Sequence, residues 1–395
     1  MRRRLFALIV AVIGLCLAAP ASAGMAQRAA AQYGYIFNEG SNAIVIFDPA
    51  SGKVVGTVAG NSLNKPHSSA YDPAGRRIFI GDLSGNLTVY DVSNPRAPRL
   101  VTVARPGGNG EIHDVFIAGG LVWLAHLGDS TVYAYDPGDF SRPLVALGKD
   151  RGFDTVHGLA LRPGTDELYT LNRPAQGRGF VLRVNVRTRQ VIGGPLPTTN
   201  QPGDQPNALS FSVDGRAYIG NGGMNAAQVT VIDPTTFTVA AQIQQDPQRG
   251  RSPWAPNFDR NTGRVFVANL RGGTVSAIDV ATNTVVGYVE VGNNPRYAQI
   301  GPDGRIYVTV AQDNKVVIFD PRTLMVLGEI RDPAIAGPNQ LIFVDASTPG
   351  LPNTGAGRGG DHAAIEAILS AALSTLLLGL TLALYRRRAR ITSGR

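Results

Sequence analysis

Three of the five histidines in this 395-residue chain, His67, His113 and His157, open apolar segments that recur about one repeat apart. Neutral imidazole is a common ligand for Zn, Cu and other divalent ions, and several imidazoles converging on one cavity would make such a site. His126 ends the segment that follows His113, and Asp82, Glu111, Asp114 and Asp154 are near in the same pattern. The candidate metal ligands are therefore His67, His113, His157 and His126. No His-x-His or His-x-x-x-His pair occurs, so the fold and not local spacing would have to gather them. The equivalent position elsewhere holds Asn207, Trp254, Arg296 and Asn339. A plain polar rim, in which each residue makes a strand-start hydrogen bond, therefore stays open beside the metal reading. Trp254 with Arg296 could hold a sugar, an acidic group or a peptide carboxylate, or Trp254 could simply pack between repeats. No Gly-x-Ser-x-Gly elbow, P-loop, strand-following Gly-x-Gly-x-x-Gly or tandem acidic Ca loop is present. Hydrolase triads, NTP chemistry and dinucleotide binding are unsupported.

The elements that must position these residues repeat. An apolar strand ending in a polar residue occurs at Tyr35-Ile36-Phe37-Asn38, Phe79-Ile80-Gly81-Asp82, Trp123-Leu124-Ala125-His126, Tyr169-Thr170-Leu171-Asn172, Tyr218-Ile219-Gly220-Asn221 and Phe266-Val267-Ala268-Asn269, with Val310 replacing the polar residue in a seventh copy. A second strand ends at Asp48, Asp91, Asp136, Asn185, Asp233, Asp279 or Asp320, where the side chain should accept hydrogen bonds from the backbone of the next turn. A third begins at His67, His113, His157, Asn207, Trp254, Arg296 or Asn339. Turn formers such as Asp72-Pro73-Ala74-Gly75 separate the strands, and no sustained helical period appears between them.

Four short strands per copy of about 45 residues indicate an all-β, seven-bladed β-propeller of four-stranded antiparallel blades over residues 32–346. The chain enters at the second strand of a blade, so Leu341-Ile342-Phe343-Val344 should pair into the first blade and close the ring. The third recurring strand is then innermost and places its opening residues at one mouth of the channel. His126 and Asp82 should reach the same face.

The run Val265-Phe266-Val267-Ala268-Asn269, with Gly273-Thr274-Val275-Ser276-Ala277-Ile278-Asp279 and Thr282-Asn283-Thr284-Val285-Val286, resembles the YVTN-type β-propeller repeat. The resemblance implies a seven-bladed, often exported protein of surface-layer type, with functions ranging from binding modules to lactonase-like enzymes.

The ends carry the targeting signals. Residues 1–4 are basic, an apolar run follows, and Ala21-Ser22-Ala23 offers a cleavage site, so residues 1–23 read as a secretory signal peptide. The single cysteine, Cys16, lies in this run, which rules out an intrachain disulfide and a cysteine-based metal site. At the other end a linker, 347–362, contains Leu351, Pro352, Asn353, Thr354 and Gly355; an apolar segment, 363–385, is expected to be a transmembrane helix; and a basic tail, 386–395, should stay cytoplasmic. That order resembles a cell-wall sorting signal of the Leu-Pro-x-Thr-Gly type. The resemblance implies cleavage by a sortase after Thr354, joining to cell-wall peptidoglycan, or retention by the membrane helix where no sortase acts.

Composition agrees with export of a β-rich body. Gly and Pro number 47 and 26, hydrophobic residues make up 44% and charged residues 17%. The net charge of +8 misleads, because nine of the 37 Lys and Arg lie at the two ends. Between residues 24 and 354, 28 positive residues face 27 negative ones, so no nucleic-acid partner is expected. The first functional expectation is a surface-anchored binding module acting on an extracellular ligand through its loops and channel mouth. The alternative is an extracytoplasmic metal-dependent or lactonase-like enzyme using the histidines.

Overall fold

Short strands that are apolar on both faces can be buried only if each small sheet is covered on both sides. A closed ring of sheets achieves this without an exposed end. The computed structural model describes residues 32–346 apart from 61, 109, 200, 202 and 204, and within them it shows seven four-stranded antiparallel sheets. The signal peptide expected at 1–23, the sorting motif at 351–355, the apolar span at 363–385 and the basic tail at 386–395 lie outside the described residues. Among those residues no helix is long and apolar enough to cross a membrane, and the one helix is a 3₁₀ turn at Lys149–Arg151.

Blade 1 is a composite. Its inner strand is Pro338–Asp345, followed outward by Gln32–Asn38, Ala43–Asp48 and Lys53–Ala59. Tyr33 pairs with Val344, Tyr35 with Ile342 and Ile36 with Leu341, so the two ends of the propeller meet in one sheet as expected. Blades 2 to 7 open with inner strands Pro66–Asp72, Ile112–Ala118, Val156–Leu161, Pro206–Phe211, Pro253–Asp259 and Pro295–Ile300. Each inner strand contacts the next around the axis, and Pro295–Ile300 returns to Pro338–Asp345. Seven apolar clusters fill the seven clefts between neighbouring blades, for example Phe79, Val89, Leu124 and Tyr135 between blades 2 and 3.

Two devices recur in every blade. At the rim, Asp48, Asp91, Asp136, Asn185, Asp233, Asp279 and Asp320 each accept a hydrogen bond from the backbone N–H two residues on, at 2.7–3.0 Å, the turn role expected of them. At the channel mouth, the N–H of the residue just past the second strand bonds a carbonyl just ahead of the inner strand. The pairs are Glu39 with Gly337, Leu83 with Lys65, Leu127 with Glu111, Arg173 with Thr155, Gly222 with Gln205, Leu270 with Ser252 and Ala311 with Asn294.

Candidate metal centre at the channel mouth

The inner strands begin one residue earlier than expected, at Pro66, Ile112, Val156, Pro206, Pro253, Pro295 and Pro338. Proline lacks an N–H and suits the first residue of a strand. The second residue of each is therefore His67, His113, His157, Asn207, Trp254, Arg296 or Asn339. In all seven sheets the register slips by one residue at this point, as between Pro66 and Ser68, Ile112 and Asp114, and Val156 and Gly158. A bulge of this kind leaves one residue outside the ladder and re-aims its side chain.

The structure brings three of the four candidate ligands together. Rings of His67 and His113 lie 4.6 Å apart between centroids, and those of His113 and His157 lie 4.7 Å apart. One nitrogen from each ring lies within 4.8 Å of one from each of the others. Each ring also has one nitrogen committed to an acceptor. His67 Nδ1–H donates to Glu39 Oε1 at 2.5 Å, His113 Nε2–H to Glu111 Oε2 at 2.7 Å, and His157 Nδ1–H to the Asn207 carbonyl at 2.9 Å. The last bond depends on Gly158, where a Cβ would lie 2.6 Å from that carbonyl oxygen. Because a neutral imidazole has one N–H, the opposite nitrogens keep their lone pairs. Of these, His113 Nδ1 and His157 Nε2 are buried without a hydrogen-bond partner.

Burial is the largest influence on both of these rings. It carries His113 down to about 2, helped by the electrostatic influence of His67 and Arg173. It also holds His157 well below its ordinary value, with Arg173 and His113 adding to the effect. Both are neutral at physiological pH and need lose no proton to bind an ion. For Glu39, burial pushes the carboxyl up, but the hydrogen bond from His67 and the electrostatic influence of His67, Arg296 and Lys65 outweigh it and leave the group lowered. Glu39 also accepts from Asn339 Nδ2 at 2.7 Å, and Asn339 Nδ2 donates to the His67 carbonyl at 2.9 Å.

His126 is elsewhere. It pairs with Ile112 across the strand ladder, is fully buried, donates from Nε2 to the Pro106 carbonyl at 3.2 Å and lies 3.7 Å from Asp129. It occupies the strand-end position that Asn38, Asn172, Asn221 and Asn269 fill in other blades, where a buried polar group ties the strand end to nearby chain. Asp82 fills the same position and binds the backbone of its own turn through the N–H groups of Ser84 and Asn86. Asp114 stitches three blades together, accepting from Ser68 Oγ and from the Leu159 N–H. Asp154 bonds Thr155 and does not join the cluster.

The other half of the mouth is cationic and aromatic. Trp254 meets His157 edge-on with centroids 5.6 Å apart, and the guanidiniums of Arg296 and Arg173 lie 5.5 and 6.0 Å from the Trp254 ring. Burial lowers Arg173 to about 10. A cleft of about 440 Å³ opens here, lined by Arg173, Gln205, Trp254 and Arg271 among others, beside one of about 350 Å³ that includes Arg251. Arg173 and Glu39 escaped the sequence reading, although a signal was present: each is the first residue after a recurring strand-end Asn.

Known proteins supply the fold and little else. No protein-family model matches the sequence, and no curated protein matches it. Among solved structures, apo AztD from Citrobacter koseri is similar at 16% identity with a TM-score of 0.59, covering 81% of this chain and 100% of that one. A candidate 6-phosphogluconolactonase from Bacteroides fragilis is similar at 15% identity with a TM-score of 0.64, covering 80% and 98%. Dihydro-heme d1 dehydrogenase NirN, in complex with DHE, is similar at 14% identity with a TM-score of 0.56, covering 78% and 74%. These likenesses concern the propeller alone.

Proposed function

We propose that this chain is a cell-surface metal-binding propeller whose channel mouth holds one divalent transition-metal ion on His67, His113 and His157. A single observation carries the reading: three adjacent imidazoles each have one N–H tied to a carboxylate or carbonyl and the other nitrogen open. Histidine ligands ordinarily have such a partner behind them, which fixes the tautomer and raises basicity. Three histidines leave a fourth position of a tetrahedral ion open to a ligand. Tetrahedral binding at about 2.0–2.1 Å wants nitrogens about 3.4 Å apart, so the rings must close by at most about 1.4 Å.

Zinc tests this directly. The purified full-length chain, stripped with a chelator and re-equilibrated with zinc, is expected to retain one equivalent by elemental analysis. His113→Ala and His157→Ala are each expected to lose it while keeping the native circular dichroism. Native protein that retains no zinc would sink the proposal.

The sequence also supports display outside the cytoplasm, through the signal peptide at 1–23 and the sorting motif, apolar span and basic tail. A sortase would join Thr354 to peptidoglycan, and Thr354→Ala is expected to leave the protein in the membrane fraction. Unchanged wall attachment in that variant argues against sorting.

A further inference from the structure

The recurring mouth hydrogen bonds leave a gap at blade 5. Just past the second strand, every other blade places a residue with a side chain, whereas blade 5 places Gly222. A Cβ there would fall 1.6 Å from Asn207 Nδ2. Between Arg173 of blade 4 and Leu270 of blade 6 no side chain fills this level, and the cleft of about 440 Å³ opens. Leu270 and Arg271 are also walls of the neighbouring cleft of about 350 Å³, so the two adjoin. Each is within the range of about 300–1,000 Å³ usual for organic ligands.

The cations at these clefts lack the partners that arginines have elsewhere. Arg77 pairs with Asp72, Arg187 with Asp166 and Arg305 with Asp303. Among the described residues, Arg173, Arg251 and Arg271 make no ion pair, and no described wall residue of either cleft is acidic. Asp313, next to Gln312 of the second cleft, is already held by the N–H and the amide of Asn293.

Unmet polar atoms of opposite kinds occur in the two walls. In the first, Arg173 Nε is a buried donor without an acceptor; in the second, Asn294 Oδ1 is a buried acceptor without a donor. Unpaired buried groups are costly, and each calls for a partner from a ligand. Carboxylate or phosphate oxygens alone only accept. Hydroxyls both accept and donate, and the side-chain amides of Gln205, Asn294 and Gln312 match them. An extended peptide would need free backbone along the walls. There the N–H groups of Gly222, Leu270, Arg271 and Gly272 are already bonded within the protein.

We infer that the paired clefts bind an acidic sugar chain of the uronate kind, independently of the metal reading: its carboxylates pair with Arg173, Arg251 and Arg271, and its hydroxyls meet the amides. Trp254, a wall of the first cleft, supplies apolar surface for a sugar ring.

Isothermal titration of trigalacturonate, maltotriose, triglutamate and inorganic phosphate into the metal-free full-length chain tests this. Trigalacturonate is expected to bind about tenfold or more tightly than each of the others, because it alone offers both carboxylates and hydroxyls. Arg173→Gln combined with Arg271→Gln is expected to weaken it about tenfold or more through lost charge-assisted bonds. Arg322→Gln, in the turn after Asp320, removes a positive charge elsewhere and should leave the affinity unchanged. Circular dichroism and melting curves certify folding, and Arg271→Glu, at an exposed position, should give a loss of similar size if the double variant does not fold. Equal or tighter binding of maltotriose, triglutamate or phosphate overturns the inference. So does an affinity unmoved by these arginine changes, or no binding of trigalacturonate. Zinc retention is measured separately, so the metal site stands or falls on its own.

Discussion

Glu111 and Glu39 never touch the ion in the arrangement described, yet changing them should weaken it by different amounts. Each accepts the N–H of a ligand imidazole, and loss of such an outer partner costs about 10–100-fold in metal affinity, or about 1.4–2.7 kcal/mol. The structure ranks the two. Glu111 has a side chain 43% exposed and makes its 2.7 Å bond to His113 alone, so water can partly replace it. Glu39 has a side chain 22% exposed, lies 2.5 Å from His67 and also holds Asn339. Glu111→Ala should therefore sit near the tenfold end and Glu39→Ala near the hundredfold end. The assay is competition for zinc against a chromogenic chelator at fixed pH, with thermal melting as the control for folding. Glu39→Gln keeps an acceptor for the His67 N–H and should recover most of the affinity, a rescue that a role in stability alone does not predict. Equal zinc affinity in native protein and Glu39→Ala would refute the positioning role.

Other consequences are open to measurement. His126→Ala should lower the melting temperature, since it removes a buried hydrogen bond worth about 1–3 kcal/mol, and should leave zinc stoichiometry unchanged; loss of zinc would mean the centre extends to His126. Ile342→Ala, in the fully buried closing strand, should cost about 3 kcal/mol and lower the denaturant midpoint, whereas a neutral result would show that ring closure adds little. Burial raises Tyr135, Tyr169 and Tyr218 to about 12, and Tyr35 and Tyr307 are raised as well. A folded value above the unfolded one of about 10 favours the protonated phenol, so this contribution is complete below about pH 10 and is lost as pH rises toward 12. Melting temperature should fall across that window together with a rise in tyrosinate absorbance; a flat profile contradicts the burial.

The repeat made the architecture legible. Strand-end Asp residues, turn formers such as Asp72-Pro73-Ala74-Gly75 and the inner strand left over at Leu341-Ile342-Phe343-Val344 carry local and periodic information, and local information is written in the chain. Seven blades and the closing partner of Tyr35 followed from counting. The position of the seven mouth residues followed too, because equivalent positions in a ring share one distance from its axis.

Other features needed three dimensions. His126 pairs with Ile112 inside the ladder whereas His113 is the residue the bulge leaves out of it, and a bulge is set by pairing between strands, which spacing within one strand does not encode. Two of the three partners that make the histidines usable come from remote chain: Glu39 is 28 residues from His67, and the carbonyl that holds His157 is 50 residues away on the next blade. Composition and repeat length therefore determined that this chain is a ring of seven sheets with polar residues at its mouth. Only packing of blade against blade decided that three imidazoles face each other, and for His67 and His157 the hydrogen bond that orients the ring crosses from one sheet to the next, whereas Glu111 reaches His113 from two residues away.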